Sequence, residues 1–329
     1  MNVTRTYLAL FGLAAIVAAA ALFVGHGSLA DPALRDTFLR LRAYRLGAAF
    51  LAGASLAAGG AMVQSLFRNP LVDPSIVGTT AGASLGGQAA LLALHWVPGG
   101  LLLRHLSGEM VVPLGAMLGA LLALALLMAA AQRVRGLVVV LLTGAILSSL
   151  FLSIGGFILS IAQDSYEVAR AIYAMSLGGV SGVGARQLMM ALPLALIGLV
   201  AAWAWGPPLD LLLSGEQEAE SLGLDVRQTR LWTVVWVAVL TTAAVTVGGN
   251  LAFVGLIVPH ALRPFVGVLN RRLIPAVALA GGTFVVACDL ATRSLPTTSE
   301  VPLGVVTGLV GAPLFLTLLF RSQRELEHG

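Results

Sequence analysis

Residues 137–162 read LVVVLLTGAILSSLFLSIGGFILSIA, a run without a single charged residue. A helix needs about 20 predominantly apolar residues to cross the hydrocarbon core of a bilayer. Nine more apolar runs of similar length lie along the chain, and most charged residues fall in the short segments between them. They cover residues 7–25, 46–65, 75–97, 110–131, 187–206, 231–250, 252–269, 273–292 and 303–320. The sequence therefore predicts an all-α membrane protein with about ten transmembrane helices.

The composition fits a chain whose solvent is mostly lipid. Of the 329 residues, 58% are hydrophobic and 10% are charged, whereas about a quarter of the residues in an average soluble domain are charged. Because a membrane bundle needs no aqueous surface, we interpret residues 1–329 as a single transmembrane domain. The first run, which follows Arg5, is long enough to span, and we interpret it as a helix and not as a cleaved signal peptide.

The run between residues 250 and 267 is the weakest of the ten. Pro259, His260, Arg263 and Pro264 interrupt it, and proline in a helix interior removes a backbone hydrogen bond. We therefore predict a short or broken helix there.

Glycines lie at small-residue spacing inside several predicted spans. In lipid no hydrophobic force draws helices together, so close backbone approach at small residues supplies the packing. We interpret two groups as helix-packing sites rather than as a ligand cradle or a hinge: Gly53, Gly59 and Gly60, and Gly82, Gly86 and Gly87.

The chain contains 19 arginines and no lysine. A phosphate-binding P-loop needs its lysine, so we expect no nucleotide hydrolysis here, and an ATP-driven role would require a partner subunit that binds ATP and Mg. Codon bias in a GC-rich genome can explain the missing lysine, and the consequence is the same.

The one cysteine, Cys288, allows neither an internal disulfide nor a multi-cysteine metal site. We expect no cofactor, metal or catalytic residue in this chain.

The distribution of arginines gives a weak orientation signal. An even number of spans places both termini on one side of the membrane. If that side is the cytoplasm, 11 arginines fall inside and 8 outside, a slight positive-inside bias. Four of the outer arginines crowd into residues 35–45, which suggests that they have another role.

Three segments are polar or contain proline where a plain bundle would be neither. The first carries Arg42 and Arg45 and continues, after the second span, into Asn69-Pro-Leu. The second is the hydrophilic stretch of residues 214–225. The third is Gly255-Leu-Ile-Val-Pro-His260 with Arg263, followed by Glu300-Val-Pro302 and Gly311-Ala-Pro313. Chemistry or partner contacts are expected in these segments.

Together these motifs resemble the permease subunits of ABC importers for iron–siderophore complexes, haem and cobalamin, over nearly the whole chain. The resemblance implies the type II ABC importer permease fold in a bacterial inner membrane, with both termini cytoplasmic. It also implies a permease homodimer around one central path, two cytoplasmic ATPase subunits and a periplasmic substrate-binding protein. No nucleic acid partner is implied.

The resemblance assigns residues 214–230 to the coupling element that contacts the ATPase. Glu216, Glu218, Ala219 and Glu220 would begin a short helix, and Gly223 would end it as the C′ residue. We expect Ala219 and Leu222 to give this helix an apolar face. The full set of predicted coupling residues is Glu216, Glu218, Ala219, Leu222, Gly223 and Leu224. The alternative is a solvated loop with acidic residues for solubility.

The resemblance also assigns Arg42, Arg45 and Arg293 to docking of glutamates on the binding protein. The guanidinium fork holds a carboxylate at two points and remains charged at a wet rim. Lipid headgroup anchoring is the alternative. Where this family usually has Leu-Pro, the chain has Ala43 and Tyr44. The resemblance therefore does not determine the backbone conformation at these two residues.

The remaining site residues follow from the family's path along the second and fifth spans. The resemblance implies Met62, Gln64, Ser148 and Ser149 in the translocation path, and a gate region at Leu137 and Val138 within residues 137–141. It implies a structural role for Asn69, Pro70, Pro259, His260, Arg263, Glu300 and Pro302.

Two polar residues within predicted spans allow alternative interpretations. For His260 a structural hydrogen bond is favoured over a metal or haem ligand. For Asp289 an i,i+4 ion pair with Arg293 is slightly favoured over a functional intramembrane acid.

The predicted function is ATP-driven import of an iron chelate, with haem favoured, ferric siderophore next and cobalamin third. The alternative is a secondary transporter driven by an ion gradient, which would need intramembrane acids or unwound helices, commonly in repeated halves. Asp289 alone is thin support for it. An intramembrane enzyme is not indicated, since neither His-Glu-x-x-His nor Gly-x-Ser-x-Gly occurs.

Overall fold

The computed structural model describes residues 3–25, 31–75, 78–96, 108–133, 137–294 and 301–327, and the regular elements in these ranges are all helices. The α-helices are α1 (Val3–Phe23), α2 (Pro32–Leu66), α3 (Thr79–Trp96), α4 (Gly108–Arg133), α5 (Leu137–Ile161), α6 (Tyr166–Leu177), α7 (Ala185–Ala204), α8 (Gly206–Leu213), α9 (Glu216–Ser221), α10 (Val226–Gly248), α11 (Val254–Val266), α12 (Asn270–Ser294) and α13 (Leu303–Glu327). The predicted all-α class is confirmed.

Each of the ten predicted runs coincides with one helix, and α6, α8 and α9 are short helices between them. By length and composition, α1, α2, α4, α5, α7, α10 and α12 contain the seven candidate membrane spans of the described chain. The α11 helix and residues 303–317 of α13 are apolar but shorter. The remaining run forms α3, whose 18 residues include the buried polar side chains of Ser84 and Gln88.

The α11 helix is short, as its prolines predict. Its 13 residues extend about 20 Å at 1.5 Å per residue, less than the roughly 30 Å of a bilayer's hydrocarbon core. It begins after Phe253, whose φ of 65° lies in the left-handed region, and it ends at Gly267, whose φ is 94°. Non-helical backbone on both sides therefore bounds it.

Helix α2 is the buried centre of the bundle, and it packs through glycine. A Cβ added at Gly53 would lie 2.2 Å from the carbonyl oxygen of Gly281 in α12, and one at Gly60 would lie 2.0 Å from that of Gly255 in α11. These contacts confirm both glycines as helix-packing sites. Gly59 is different, because its nearest neighbours would be 3.9 Å away, so it imposes no such limit.

Helices α3 and α4 approach each other in the same way. Added Cβ atoms at Gly82 and Gly86 would lie 2.5 and 2.0 Å from the carbonyl oxygens of Gly119 and Gly115. An added Cβ at Gly87 would meet the flexible end of Met175 at 2.3 Å. The predicted packing role of this second group is confirmed.

Three interruptions between helices lie against each other, and we call this place the three-break junction. They are the end of α6, the α10–α11 connection and the start of α13. Backbone hydrogen bonds join them: Gly179 N to Gly248 O at 2.9 Å, Asn250 N to Met175 O at 2.9 Å, and Leu303 N to Gly178 O at 3.0 Å. Irregular backbone within a membrane bundle requires such partners, because lipid offers none.

Candidate functional site

The predicted docking arginines gather at one end of the α2–α12 pair. Arg45 donates through Nε to Oδ1 of Asp289 at 2.8 Å, and Nη2 of Arg293 lies 3.0 Å from Asp289 Oδ2. The predicted i,i+4 pair between Asp289 and Arg293 is confirmed, and the Arg45 contact across helices adds to it. With Arg42, these residues form what we call the arginine cluster.

Arg42 and Arg293 also bind the end of α1. The last carbonyl groups of a helix lack intrahelical donors and carry partial negative charge, so cations are favourable there. Arg42 donates to the carbonyl oxygens of Leu22, Phe23 and Gly25, each at 3.0 Å, and Arg293 donates to those of Ala21 and Val24, at 3.1 and 3.3 Å. The cluster therefore fixes α1 against α2 and α12.

The burial of the cluster limits what it offers to a partner. Arg42 and Arg293 are each 6% exposed, and the side chain of Arg45 is 14% exposed. Arg35 and Arg40, on the first turns of α2, are exposed. Docking stays a prediction, and in this conformation Arg45 is the most accessible of the three arginines predicted for it.

At the opposite end of the bundle, the predicted short helix is present as α9. Its C-cap is Leu222, and Gly223 follows with a φ of 87°. Leu224 N donates to Ala219 O at 3.0 Å, and Gly223 N donates to Glu220 O at 2.9 Å. These two bonds are the Schellman motif that a C′ glycine permits, so the predicted helix and its end are confirmed.

The prediction that Ala219 and Leu222 form one apolar face on α9 is wrong. Ala219 is fully buried against its own chain, whereas Leu222 is 63% exposed. The spacing that places two residues near each other on a helix does not say which side faces the parent protein. Glu216 pairs with Arg230 of α10, and the exposed residues of α9 and its C-cap are Gln217, Glu218, Glu220, Ser221 and Leu222.

Near α9, three polar side chains join α8, α12 and α2, and we call them the Asn270 joint. Oδ1 of Asp210 accepts from the backbone N and from Nδ2 of Asn270, at 2.7 and 2.8 Å. Oγ of Ser65 donates to Oδ1 of Asn270 at 2.9 Å. Neither Asp210 nor Asn270 is predicted as a site residue. Asparagine at the start of α12 is a helix-start signal, but it does not reveal a partner 60 positions away.

Two residues predicted in the translocation path are enclosed by the chain itself. Met62 is 0% and Gln64 1% exposed. Gln64 donates through Nε2 to the carbonyl oxygens of Gly255 and Leu256, at 3.1 and 3.4 Å, and so fixes α11 to α2. Path lining by Met62 and Gln64 stays a prediction, and in this conformation both side chains are enclosed by their own chain.

The α5 residues lie closer to the surface. Ser148 is half-buried and donates to the carbonyl oxygens of Ser75 and Gly144, both at 2.9 Å, whereas Ser149 is exposed. The gate residues Leu137 and Val138 begin α5, but their side chains lie outside the described part of the chain. Of the predicted path residues, Ser149 is therefore the one that faces outward.

The Asn-Pro-Leu motif makes a turn. Asn69 is buried, and its Oδ1 accepts from Leu71 N at 2.9 Å, while Pro70 is exposed. The same loop carries Asp73, which is 3% exposed and accepts from Ser75. Burial raises the pKa of this carboxyl. The loop is thus ordered by its own side chains, as a structural motif requires.

The Gly255-Leu-Ile-Val-Pro-His260 motif lies on α11. Pro259 is buried, and His260 and Arg263 are half-buried. The ring of His260 meets that of Phe315 edge to face, with centroids 6.3 Å apart, so the described contact is aromatic and is not the expected hydrogen bond. Pro302 precedes α13 and accepts from Val305 N at 3.1 Å. Glu300 lies outside the described residues.

A cavity of about 920 Å³ opens between α4, α6, α7 and the end of α10. Met175 and Met190 contribute apolar wall, and Glu167 and Arg170 contribute exposed charge. It borders the three-break junction through Gly179 and Gly249. The cavity is not predicted from the sequence, because its lining comes from distant segments.

A helical bundle whose described part contains seven candidate membrane spans is the architecture of a multi-pass membrane protein. Residues 6–321 match the FecCD transport family. The chain belongs to this family, so it is the permease component of an ABC importer, in which separate subunits hydrolyse ATP and a substrate-binding partner is implied.

The relatives import different cargoes. The chain is 38% identical to the cobalamin import permease of Halobacterium salinarum, over 85% of this chain and 72% of that protein. It is 34% identical to the Fe(3+) dicitrate permease of Escherichia coli, over 87% and 85%, and 33% identical to the hemin permease of Yersinia pestis, over 91% and 87%. The family is common to these proteins, and the cargo is not.

The fold has a solved counterpart. A metal-chelate type ABC transporter in an inward-facing conformation superposes with a TM-score of 0.81 at 28% identity, covering 97% of this chain and 99% of that one. The predicted fold of the importer permease is confirmed. The chain is accordingly a multi-pass membrane protein of a transport family.

Proposed function

We propose that this chain moves an iron chelate from the periplasm to the cytoplasm, with haem ranked first and ferric siderophore second, and that cobalamin, a cobalt chelate, ranks third among its cargoes. The match to the FecCD family across residues 6–321 carries the proposal. A vitamin B12 permease from Vibrio vulnificus is 34% identical over 96% of this chain, slightly more on both counts than the hemin relative. Sequence similarity alone therefore leaves these cargoes close.

The permease acts as a homodimer in the inner membrane, with both termini cytoplasmic. Helix α5 supports this arrangement, because one side of it exposes large apolar side chains together with serine. Ile146, Leu150 and Phe157 are at least half exposed, and Ser149 and Ser153 are exposed. A second copy against α5 would cover the apolar residues and leave the serines on a central path. A weakly polar lining suits a transporter that must release its cargo.

The ends of the bundle contact different partners. Two ATPase subunits bind the cytoplasmic surface of α9, where Glu218, Glu220 and Leu222 are exposed. The binding protein docks at the periplasmic end, where Arg45 is partly accessible and Arg35 and Arg40 are exposed. Exposed guanidinium groups attract and orient acidic partners.

Reconstitution decides between ATP-driven import and the ion-gradient alternative. The permease is placed in vesicles with its ATPase, and cargo uptake is measured with ATP, with a non-hydrolysable analogue and without the ATPase. We expect uptake only with the ATPase and hydrolysable ATP. Uptake driven by an ion gradient without the ATPase would contradict the proposal.

Cargo identity is tested on the cognate binding protein by calorimetry with haem, a ferric siderophore and cobalamin. We expect haem to bind most tightly. Tight binding of siderophore or cobalamin without haem binding would replace haem as the leading cargo and leave the importer assignment intact.

A further inference from the structure

The Asn270 joint connects three helices through one amide. Asn270 is completely buried and Ser65 is 2% exposed. The amide donates through Nδ2 to Asp210, and its Oδ1 shares the single hydroxyl hydrogen of Ser65 with the carbonyl oxygen of Ala61. A carboxylate in its place could accept from Ser65 but could not donate to Asp210. Asparagine is therefore matched to both partners.

Asp210 also caps α12 from another helix. The first N–H groups of a helix lack intrahelical acceptors, and the N-terminal end of its dipole favours negative charge. The Asp210 carboxylate accepts the backbone N–H of Asn270, the first residue of α12, at 2.7 Å. Hydrogen bonds to an ionised acceptor are stronger than neutral ones, so α8 is held firmly to α12.

Two further contacts hold the α7–α8 corner to the same place. A Cβ added at Gly206 would lie 3.0 Å from Arg271 N, so the backbones meet closely. The guanidinium of Arg271 lies 5.6 Å from the ring centroid of Trp203, at the end of α7, within the range of a cation–π interaction. The corner that leads into α9 is thus attached to the first turn of α12.

We propose that the Asn270 joint transmits movement of the α8–α9 segment to α2 and α12, with Asp210, Asn270 and Ser65 as positioning residues for coupling. The inference rests on the proposed contact between α9 and an ATPase. Helices α2 and α12 are packed backbone to backbone at Gly53 and Gly281. A displacement of α8 therefore reaches α2 and α12 as a closely packed pair.

The test uses the reconstituted transporter with its ATPase and compares Asp210→Asn, Asn270→Asp and the double variant. Asn270→Asp sets two carboxylates against each other. In the double variant, the amide at 210 can accept from N–H of residue 270 and donate to the new carboxylate. Transported cargo per ATP hydrolysed is measured beside the thermal unfolding midpoint. Asp164→Asn, the same change at an exposed site on the loop after α5, is the control.

We expect transport per ATP to fall about tenfold in Asn270→Asp and about threefold in Asp210→Asn, and to return within about twofold of wild type in the double variant, because contacting residues are energetically coupled. The control should match wild type. Unchanged transport per ATP in both single variants, or lower unfolding midpoints alone, would reduce the joint to a folding contact and overturn the inference. A double variant no better than Asn270→Asp would also overturn it. If the wild-type complex itself showed no ATP-dependent uptake, the proposed function would fail first.

Discussion

The two polar groups at the ends of the α2–α12 pair differ in how their charges are matched. In the arginine cluster, Arg45 and Arg293 pair with the carboxylate of Asp289, and Arg42 and Arg293 bind carbonyl groups at the end of α1. The Asn270 joint has one carboxylate, one amide and one hydroxyl, linked in a donor-to-acceptor chain. The first group joins helices mainly through arginines, and the second does so through a short chain of hydrogen bonds. Arg45 in the first group is partly accessible to an acidic partner, whereas Asn270 and Ser65 in the second are buried and suited to holding helices together.

Among the changes that test this comparison, removing the carboxylate of Asp289 should lower the stability of the protein most. Asp289 is 1% exposed, and breaking a buried ion pair by removing one partner costs about 3–5 kcal/mol. We expect Asp289→Asn to lower the unfolding midpoint in detergent by many degrees. Asp36→Asn, at an exposed position on α2, is the control. Equal midpoints for the two variants would show that the cluster is not held by its carboxylate.

Forcing α2 away from α12 should have the second largest effect on stability. The Cβ of Gly53→Ala would meet the Gly281 carbonyl oxygen at 2.2 Å, and overpacking of this kind costs about 3 kcal/mol at the upper end of its usual range. Gly59→Ala is a matched control in the same helix, since its nearest neighbours are 3.9 Å away, and helix propensity predicts a neutral or slightly stabilising change. The two unfolding midpoints are compared in detergent. A tolerated Gly53→Ala would contradict the packing.

Variants of Arg42 and Arg40 distinguish a buried arginine that holds helices together from an exposed arginine that is available to a partner. Arg42→Ala removes the donor to three carbonyl groups in and just after the last turn of α1, and losing a charged hydrogen-bonding group costs about 2 kcal/mol. We expect a lower midpoint and faster protease cleavage near α1. Arg40→Ala should leave the midpoint unchanged and weaken binding-protein docking, measured by ATPase stimulation. The reverse pattern would mean that the burial of Arg42 does not describe its role.

Replacing Gly223 should have the smallest effect. Its φ of 87° disfavours any side chain, and alanine there should cost about 1 kcal/mol. We expect Gly223→Ala to reduce ATPase binding more than global stability, because it alters the end of α9 and leaves the Asn270 joint intact. Gly179→Ala, at a glycine with open space around it, is the control. Normal ATPase affinity in Gly223→Ala would separate α9 from the ATPase contact.

The features that the sequence predicts are local ones. Apolar runs locate the spans, two prolines predict the short α11, Gly223 predicts the end of α9, and i,i+4 spacing predicts the Asp289–Arg293 pair. Each depends on residues within a few turns of each other.

The features that the sequence does not predict join distant segments or depend on which side faces the protein. Asp210 and Asn270 are 60 positions apart, and Arg45 and Asp289 are 244 apart. The apolar face expected on α9 is divided, because spacing alone could not show that Ala219 faces inward. The burial of Gln64 likewise depends on α11, which follows it by nearly 200 positions.

The three-break junction has a consequence for how the protein is made. The carbonyl of Gly178 receives its hydrogen bond from the N–H of Leu303, which is synthesised more than a hundred residues later. Until α13 has entered the bilayer, that carbonyl lacks its native donor, and lipid supplies none. Entry of α13 therefore completes the hydrogen bonding of the junction, and a nascent permease stopped before α13 keeps an unsatisfied carbonyl there.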